Sequence, residues 1–202
     1  MSVRVVVTGS ESTGKTTLAE QLARHFRAEL VPEFVREYAE ARHGVIEYAD
    51  HGPIARGQMA LEDAAMERGK PIVVQDTDLL STVVYCEHYF GKCPAWIAEA
   101  ARNRAPDLYL FCEVDVPWIA DGVRDRGHMR EEMQHLFRNA VRDSGAPVAV
   151  ITGDRTERLA RATEAVDALL LLKTDDPLRE HDANSQEQKD RNARQGHHES
   201  PP

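Results

Sequence analysis

Cysteine is scarce in this 202-residue chain: there are three, Cys86, Cys93 and Cys112, and no C-x-x-C pair. An odd number at such spacing does not suggest a disulfide framework and fits a reducing compartment, so a cytoplasmic protein is expected. Cys86, His88 and Cys93 stand close in sequence, but no fourth ligand appears at a familiar zinc spacing, and buried thiols are the expectation. No apolar run approaches the roughly 18 residues that cross a bilayer, and the N-terminus runs straight into a strand pattern; neither a membrane span nor a targeting segment is expected. Positive charge is in deficit, with a formal net charge of −9. That balance, and the lack of a helix-turn-helix pattern, argue against nucleic acid or an anionic membrane as partner and leave a small-molecule substrate as the easier fit. Aromatic residues make up only 6% of the chain. The grouping of Tyr85, Tyr89, Phe90 and Trp96 is conspicuous against that background; core packing is its default role and stacking on a flat ring the alternative.

What the chain does contain is organised around Val3 to Thr17, V-R-V-V-V-T-G-S-E-S-T-G-K-T-T. An apolar, β-branched run enters Gly9-Ser10-Glu11-Ser12-Thr13-Gly14-Lys15-Thr16, which matches G-x-x-x-x-G-K-(S/T) at every fixed position. Small residues at Gly9 and Gly14 let backbone N–H groups wrap a phosphate chain. Lys15 reaches the β- and γ-phosphates and the Thr16 hydroxyl ligates Mg²⁺. Leu18, Leu22 and Phe26 then mark one face of a helix whose N-terminus points at the phosphates. The cofactors expected are therefore ATP and Mg²⁺, with Gly9, Ser12, Thr13, Gly14, Lys15, Thr16 and Thr17 holding the nucleotide.

Glu29 to Val31 reads as a second strand ending at Pro32, followed by Glu33 and Arg36. Residues just past a strand lie at the carboxyl edge of a parallel sheet, where ligands bind in open α/β folds. Glu33 and Arg36 are candidates to hold or deprotonate a substrate; a solvated helix start is the alternative. An irregular stretch, 43–52, precedes a helix from about Pro53 to Glu67, and Gly57 within it suggests close approach of a ligand or another helix. Pro71 to Asp78, P-I-V-V-Q-D-T-D, is an apolar run ending in acid, the Walker B pattern. Asp76 is the candidate for the metal. Asp78 either accepts a substrate proton or caps the next helix, Leu79 to Tyr89. A further helix is expected over 94–104 and a buried strand over 107–113. Arg124, Arg126 and Arg130, punctuated by glycines, suit a short Arg-rich lid over phosphates. A helix over 131–143, a strand over 148–152 and a helix over 156–172 complete the pattern; adenine has a place at 153–155. Five strands alternating with helices predict an α/β P-loop NTPase fold, a five-stranded parallel sheet covered on both faces. The organisation expected is a kinase domain over 1–173 and a disordered polar tail over 174–202, a tail with seven acids, four bases and no aromatic residue.

In this order, V-T-G-S-E-S-T-G-K-T-T, P-E-F-V-R-E-Y, Gly57-Gln58, Q-D-T-D and W-I-A-D-G-V-R make residues 3 to 172 resemble the ribosylnicotinamide kinase domain of the NadR type, a P-loop kinase of the AAA-like ATP-binding group. The resemblance implies phosphorylation of the 5′-hydroxyl of nicotinamide riboside by ATP with Mg²⁺, giving the mononucleotide. It places substrate binding on Glu33, Phe34, Arg36, Tyr38, Gln58 and Asp121, nucleotide binding also on Arg126, and catalysis on Lys15, Asp76, Arg124 and either Glu33 or Asp78. In that family an adenylyltransferase domain usually comes first; this sequence opens on the P-loop strand, so no adenylyltransferase activity is expected. Pro32 stands where the family carries an aromatic residue, which moves ring recognition to Phe34, Tyr38 or Tyr48, or changes the acceptor. Another nucleoside-like acceptor and a nucleotide-dependent switch that binds a protein partner are the alternative functions.

Overall fold

The computed structural model describes residues 2–116 and 130–174. The expected lid, with Asp121, Arg124 and Arg126, and the tail beyond Thr174 lie outside the described residues. The chain divides at Asp167. The first unit contains the whole sheet; the described part of the second is the end of the last helix.

Five strands, β1 (Val3–Thr8), β2 (Glu29–Val31), β3 (Ile72–Asp76), β4 (Leu108–Cys112) and β5 (Val148–Ile151), pair in the order β2-β3-β1-β4-β5, all parallel. This is the expected α/β P-loop NTPase sheet. β1 sits at its centre, so Val5, Val6 and Val7 are shut off from solvent from both sides, which is why the strand reads as a continuous apolar run rather than an alternating one.

The helices are α1 (Lys15–Phe26), α2 (Phe34–Glu40), α3 (His51–Glu67), α4 (Leu79–Phe90), α5 (Ala95–Asn103), α6 (Arg130–Asp143) and α7 (Arg155–Thr174). On one face Val6, Tyr109 and Phe111 pack with Val84 of α4 and Met133, Phe137 and Val141 of α6. The opposite row, Val5, Val7, Val74 and Leu110, is equally buried, and α1 lies against β1 and β3. α3 begins at His51, two residues before the expected proline, because a 3₁₀ turn at Tyr48–Asp50 launches it: Glu47 and Asp50 bond each other's backbone N–H in a reciprocal cap. Gly57 leaves the helix unbroken and lets a neighbour close in, since the Phe34 ring fills the place of its missing side chain.

Cys86 and Cys112 are buried and Cys93 half-buried, all as free thiols. Among the described residues no three His, Cys, Asp or Glu side chains gather as a metal site. No described helix is long and apolar enough to cross a membrane.

Candidate functional site

At the end of β1 the chain turns through Gly9 at φ 132°, and a Cβ there would lie 2.6 Å from the Cys112 carbonyl oxygen. Only glycine lets the loop begin this close to β4. Ser12 and Gly14 are also left-handed, at φ 53° and 79°, and α1 starts directly after Gly14. The Lys15 ammonium is buried and donates to the Ser10 carbonyl at 2.7 Å. Thr13 Oγ1 donates to the same oxygen at 2.9 Å.

β3 delivers Asp76 opposite Val7, two residues before the P-loop. The Thr16 hydroxyl lies beside it and favours its charged form. Its Oδ1 is buried with no hydrogen-bond partner among the described residues. Burial, and then the charge of Glu33, push its pKa up. A buried carboxylate oxygen beside a hydroxyl fits a hard divalent cation, which would supply the missing positive charge. Thr77 follows at φ 65°, an uncommon conformation for a β-branched residue, and this bend sends Asp76 and Asp78 to different neighbours.

Asp78 caps α4: its Oδ1 accepts from the Leu80 N–H at 3.1 Å and its Oδ2 from the Tyr109 hydroxyl at 2.6 Å. Burial raises its pKa, partly offset by these donors. Behind it lies Glu62 of α3, whose carboxyl burial pushes to about 7, with Asp78 adding to the rise and Arg104, 3.2 Å away, opposing it.

Glu33 is buried at the head of α2 and takes an ion pair from Arg36 at 3.1 Å. The same Arg36 nitrogen reaches Thr16 Oγ1 at 3.4 Å. Gln58 fixes the start of α2 by accepting from the Phe34 N–H at 3.0 Å, while its Nε2 is buried with no partner among the described residues. A cavity of about 510 Å³ opens here. Glu33, Arg36, Gln58 and Asp78 line it with Glu11 from the P-loop, and Tyr85, Tyr89 and Phe90 form its aromatic wall. That volume suits a small organic ligand.

The structure thus brings Lys15, Thr16, Glu33, Arg36, Asp76, Asp78 and Gln58 around one loop and one cavity. Phe34 and Tyr38 are not in the cavity lining. Phe34 rests on Gly57, and the Tyr38 hydroxyl donates to Asp50 at 2.9 Å under the Arg42 guanidinium. Pro32 is exposed and also outside the lining. Of the aromatic group, for which core packing is the default and a flat stacking surface the alternative, Tyr85, Tyr89 and Phe90 form the wall and Trp96 lies outside it: Tyr89 and Phe90 are part-exposed, and Tyr85 and Tyr89 stack with ring centroids 6.2 Å apart.

Three residues at the site carry no signal in the sequence. Gln134 of α6 accepts from the Ser10 N–H at 2.9 Å, and Arg158 of α7 donates to the Thr13 carbonyl at 2.8 Å. Tyr109 stands out in the sequence only as part of a buried strand. Each lies far from its partner along the chain, and no local spacing signals such contacts. Arg130, expected in the lid, donates to the Ser12 and Val116 carbonyls at 3.0 and 3.1 Å.

Compared with known families, residues 4–158 match the AAA domain family. The chain belongs to that family. It is 29% identical over 173 residues to the trifunctional NAD biosynthesis/regulator protein NadR of Escherichia coli, covering 82% of this chain and 42% of that protein. The Salmonella typhimurium NadR is 28% identical over the same shares of each chain. A solved NadR in complex with NR superposes with a TM-score of 0.68 at 26% identity, over 83% of this chain and 50% of that one. NadR with NAD and AMP-PNP gives 0.65 at 27% identity, over 83% and 49%. This chain therefore spans about half the length of these relatives or less. A thymidylate kinase from Ehrlichia chaffeensis shares the fold, with a TM-score of 0.60 at 17% identity over 83% of this chain and 98% of that one. A P-loop, an acid-tipped β3 and an adjoining cavity that fits a small molecule are parts that ATP-dependent phosphotransferases use.

Proposed function

We propose that the chain is an ATP-dependent nucleoside kinase and that its acceptor is nicotinamide riboside. The observation that carries the reading is Arg36, whose guanidinium joins Glu33 in the cavity wall to Thr16 of the P-loop. An acceptor hydroxyl lying against Glu33 is thereby brought to the phosphate end of the loop. The NadR relatives, one of them solved with NR, support this acceptor.

In this reading the P-loop amides and Lys15 bind ATP. Thr16 and Asp76 would hold Mg²⁺, which neutralises charge on the transferring phosphoryl group. Glu33 orients the acceptor 5′-hydroxyl and receives its proton as the oxygen bonds to the γ-phosphorus; the bond to the β-phosphate oxygen breaks and ADP leaves. Asp78 is not given this part, because both its oxygens are engaged as acceptors in capping α4 and holding Tyr109. Its part is to anchor α4 beneath the cavity. Tyr85, Tyr89 and Phe90 offer the flat surfaces for a ring, the alternative role that their grouping in the sequence suggests, in place of Phe34, Tyr38 or Tyr48.

The test is ADP release with ATP and Mg²⁺ in the presence of no acceptor, nicotinamide riboside, or purine and pyrimidine nucleosides. Strong stimulation by nicotinamide riboside is expected, lost by at least about a hundredfold in Lys15→Ala and Glu33→Gln. Stimulation by another nucleoside alone would replace the acceptor, and basal hydrolysis that no acceptor changes would reject a kinase.

A further inference from the structure

Arg158 stands in the first turn of α7, R-T-E-R, beside Arg155 and Glu157, yet its side chain is buried. Its Nε donates to the Gly153 carbonyl, Nη1 to the Thr13 carbonyl and Nη2 to the Glu113 carbonyl, each at 2.8 Å, and Nη2 also pairs with the Asp115 carboxylate. One guanidinium therefore ties the P-loop to the chain just beyond β4 and β5.

The Thr13 contact bears on chemistry. In a trans peptide the C=O and N–H point in opposite directions. Drawing the Thr13 carbonyl to Arg158 turns the Gly14 N–H the other way, away from Arg158. Arg130 does the same one residue earlier, on the Ser12 carbonyl, which orients the Thr13 N–H. Gly14, with no side chain and φ 79°, has little steric preference to hold this orientation by itself. Burial and the nearby Arg158 charge lower the Arg130 pKa, so the two cations sit together at a cost. A staple serving the fold alone gains nothing from a second, half-buried cation set beside the buried Arg158, whereas an anion on the far side of the loop does.

We propose that Arg158 is a positioning residue for nucleotide phosphates, fixing the Thr13–Gly14 peptide so that its N–H faces the phosphate chain. The inference rests on the ATP reading above and adds what shapes the cradle. It is independent of the acceptor.

The experiment compares wild type with Arg158→Met and Arg158→Lys. Binding of Mg-ATP and of inorganic triphosphate is measured by calorimetry, KM is determined for ATP and for the acceptor, and thermal unfolding is followed in parallel. Lysine keeps the charge but cannot span three carbonyls at once. Both variants should bind ATP and triphosphate at least about tenfold more weakly, with the acceptor KM unchanged. Added guanidinium ion should restore part of the triphosphate affinity to Arg158→Met. Where the methionine variant does not unfold cooperatively, the affinities of the lysine variant decide. Unaltered triphosphate affinity in a folded variant, or equal loss for ATP and acceptor, overturns the inference while leaving the kinase reading intact. A wild-type chain that binds neither ATP nor triphosphate overturns both.

Discussion

The Phe34 ring lies against the bare backbone of Gly57: a Cβ at Gly57 would stand 2.2 Å from Phe34 Cε1. The next residue, Gln58, accepts from the Phe34 N–H. Two successive residues of α3 thus hold the first turn of α2, and that turn presents Glu33 and Arg36 to the cavity.

Gly57→Ala forces the ring, and α2 with it, to move. The expected result is a stability loss of about 1–3 kcal/mol, as for overpacked cores, together with a higher acceptor KM and a smaller change in the ATP KM. Urea unfolding and steady-state kinetics check it; an unchanged acceptor KM would separate the α2 anchor from substrate binding.

Glu62 should make stability fall with pH. Its carboxyl is raised from 4.5 to about 7 in the folded chain. Between these values the native state holds a proton that the unfolded state has released, so stability declines as pH rises through that window and levels off above it. Glu62→Gln should flatten the curve and add roughly 1–3 kcal/mol at pH 8 relative to wild type. Chemical unfolding at pH 5, 6, 7 and 8 measures this, and a variant curve parallel to wild type would contradict it.

Tyr109→Phe removes a donor from the buried Asp78 carboxylate. The expected loss is about 1–3 kcal/mol at neutral pH. Burial already raises the Asp78 pKa, and losing this donor raises it further, so ionising Asp78 becomes costlier. The loss should be larger at pH 8 than at pH 5, where the variant can keep its proton. Equal losses at the two pH values would show that the hydroxyl acts through packing alone.

The P-loop, the strand–helix alternation and the acid at the end of β3 are legible in the sequence because each is local: a few residues in fixed spacing determine the geometry. Gly57 is also legible, since a glycine inside a good helix asks for a close neighbour, though the sequence leaves open whether that neighbour is a ligand or another helix; it is α2, through its Phe34 ring. The direction in which α2 turns its aromatic residues is not legible. Phe34 and Tyr38 sit one turn apart on one face while Val35, Arg36 and Ala39 face the cavity, and only the packing of α2 on α3 decides which face turns inward. Tyr85, Tyr89 and Phe90 look like core for the related reason that an apolar helix does not reveal where its partners end. Arg158, Gln134 and Tyr109 reach across 145, 124 and 31 residues to their partners, distances over which no spacing rule operates.

The close fit of Gly9 on the Cys112 carbonyl makes the floor of the phosphate site and the end of a core strand one object. Small changes of volume along β4, at Leu110 or Phe111, press on the turn that opens the P-loop with no flexible side chain between to absorb them. Substitutions chosen to tune thermal tolerance from the middle of the sheet will therefore also retune nucleotide affinity, whereas β2, three residues long at the sheet's edge, leaves more latitude.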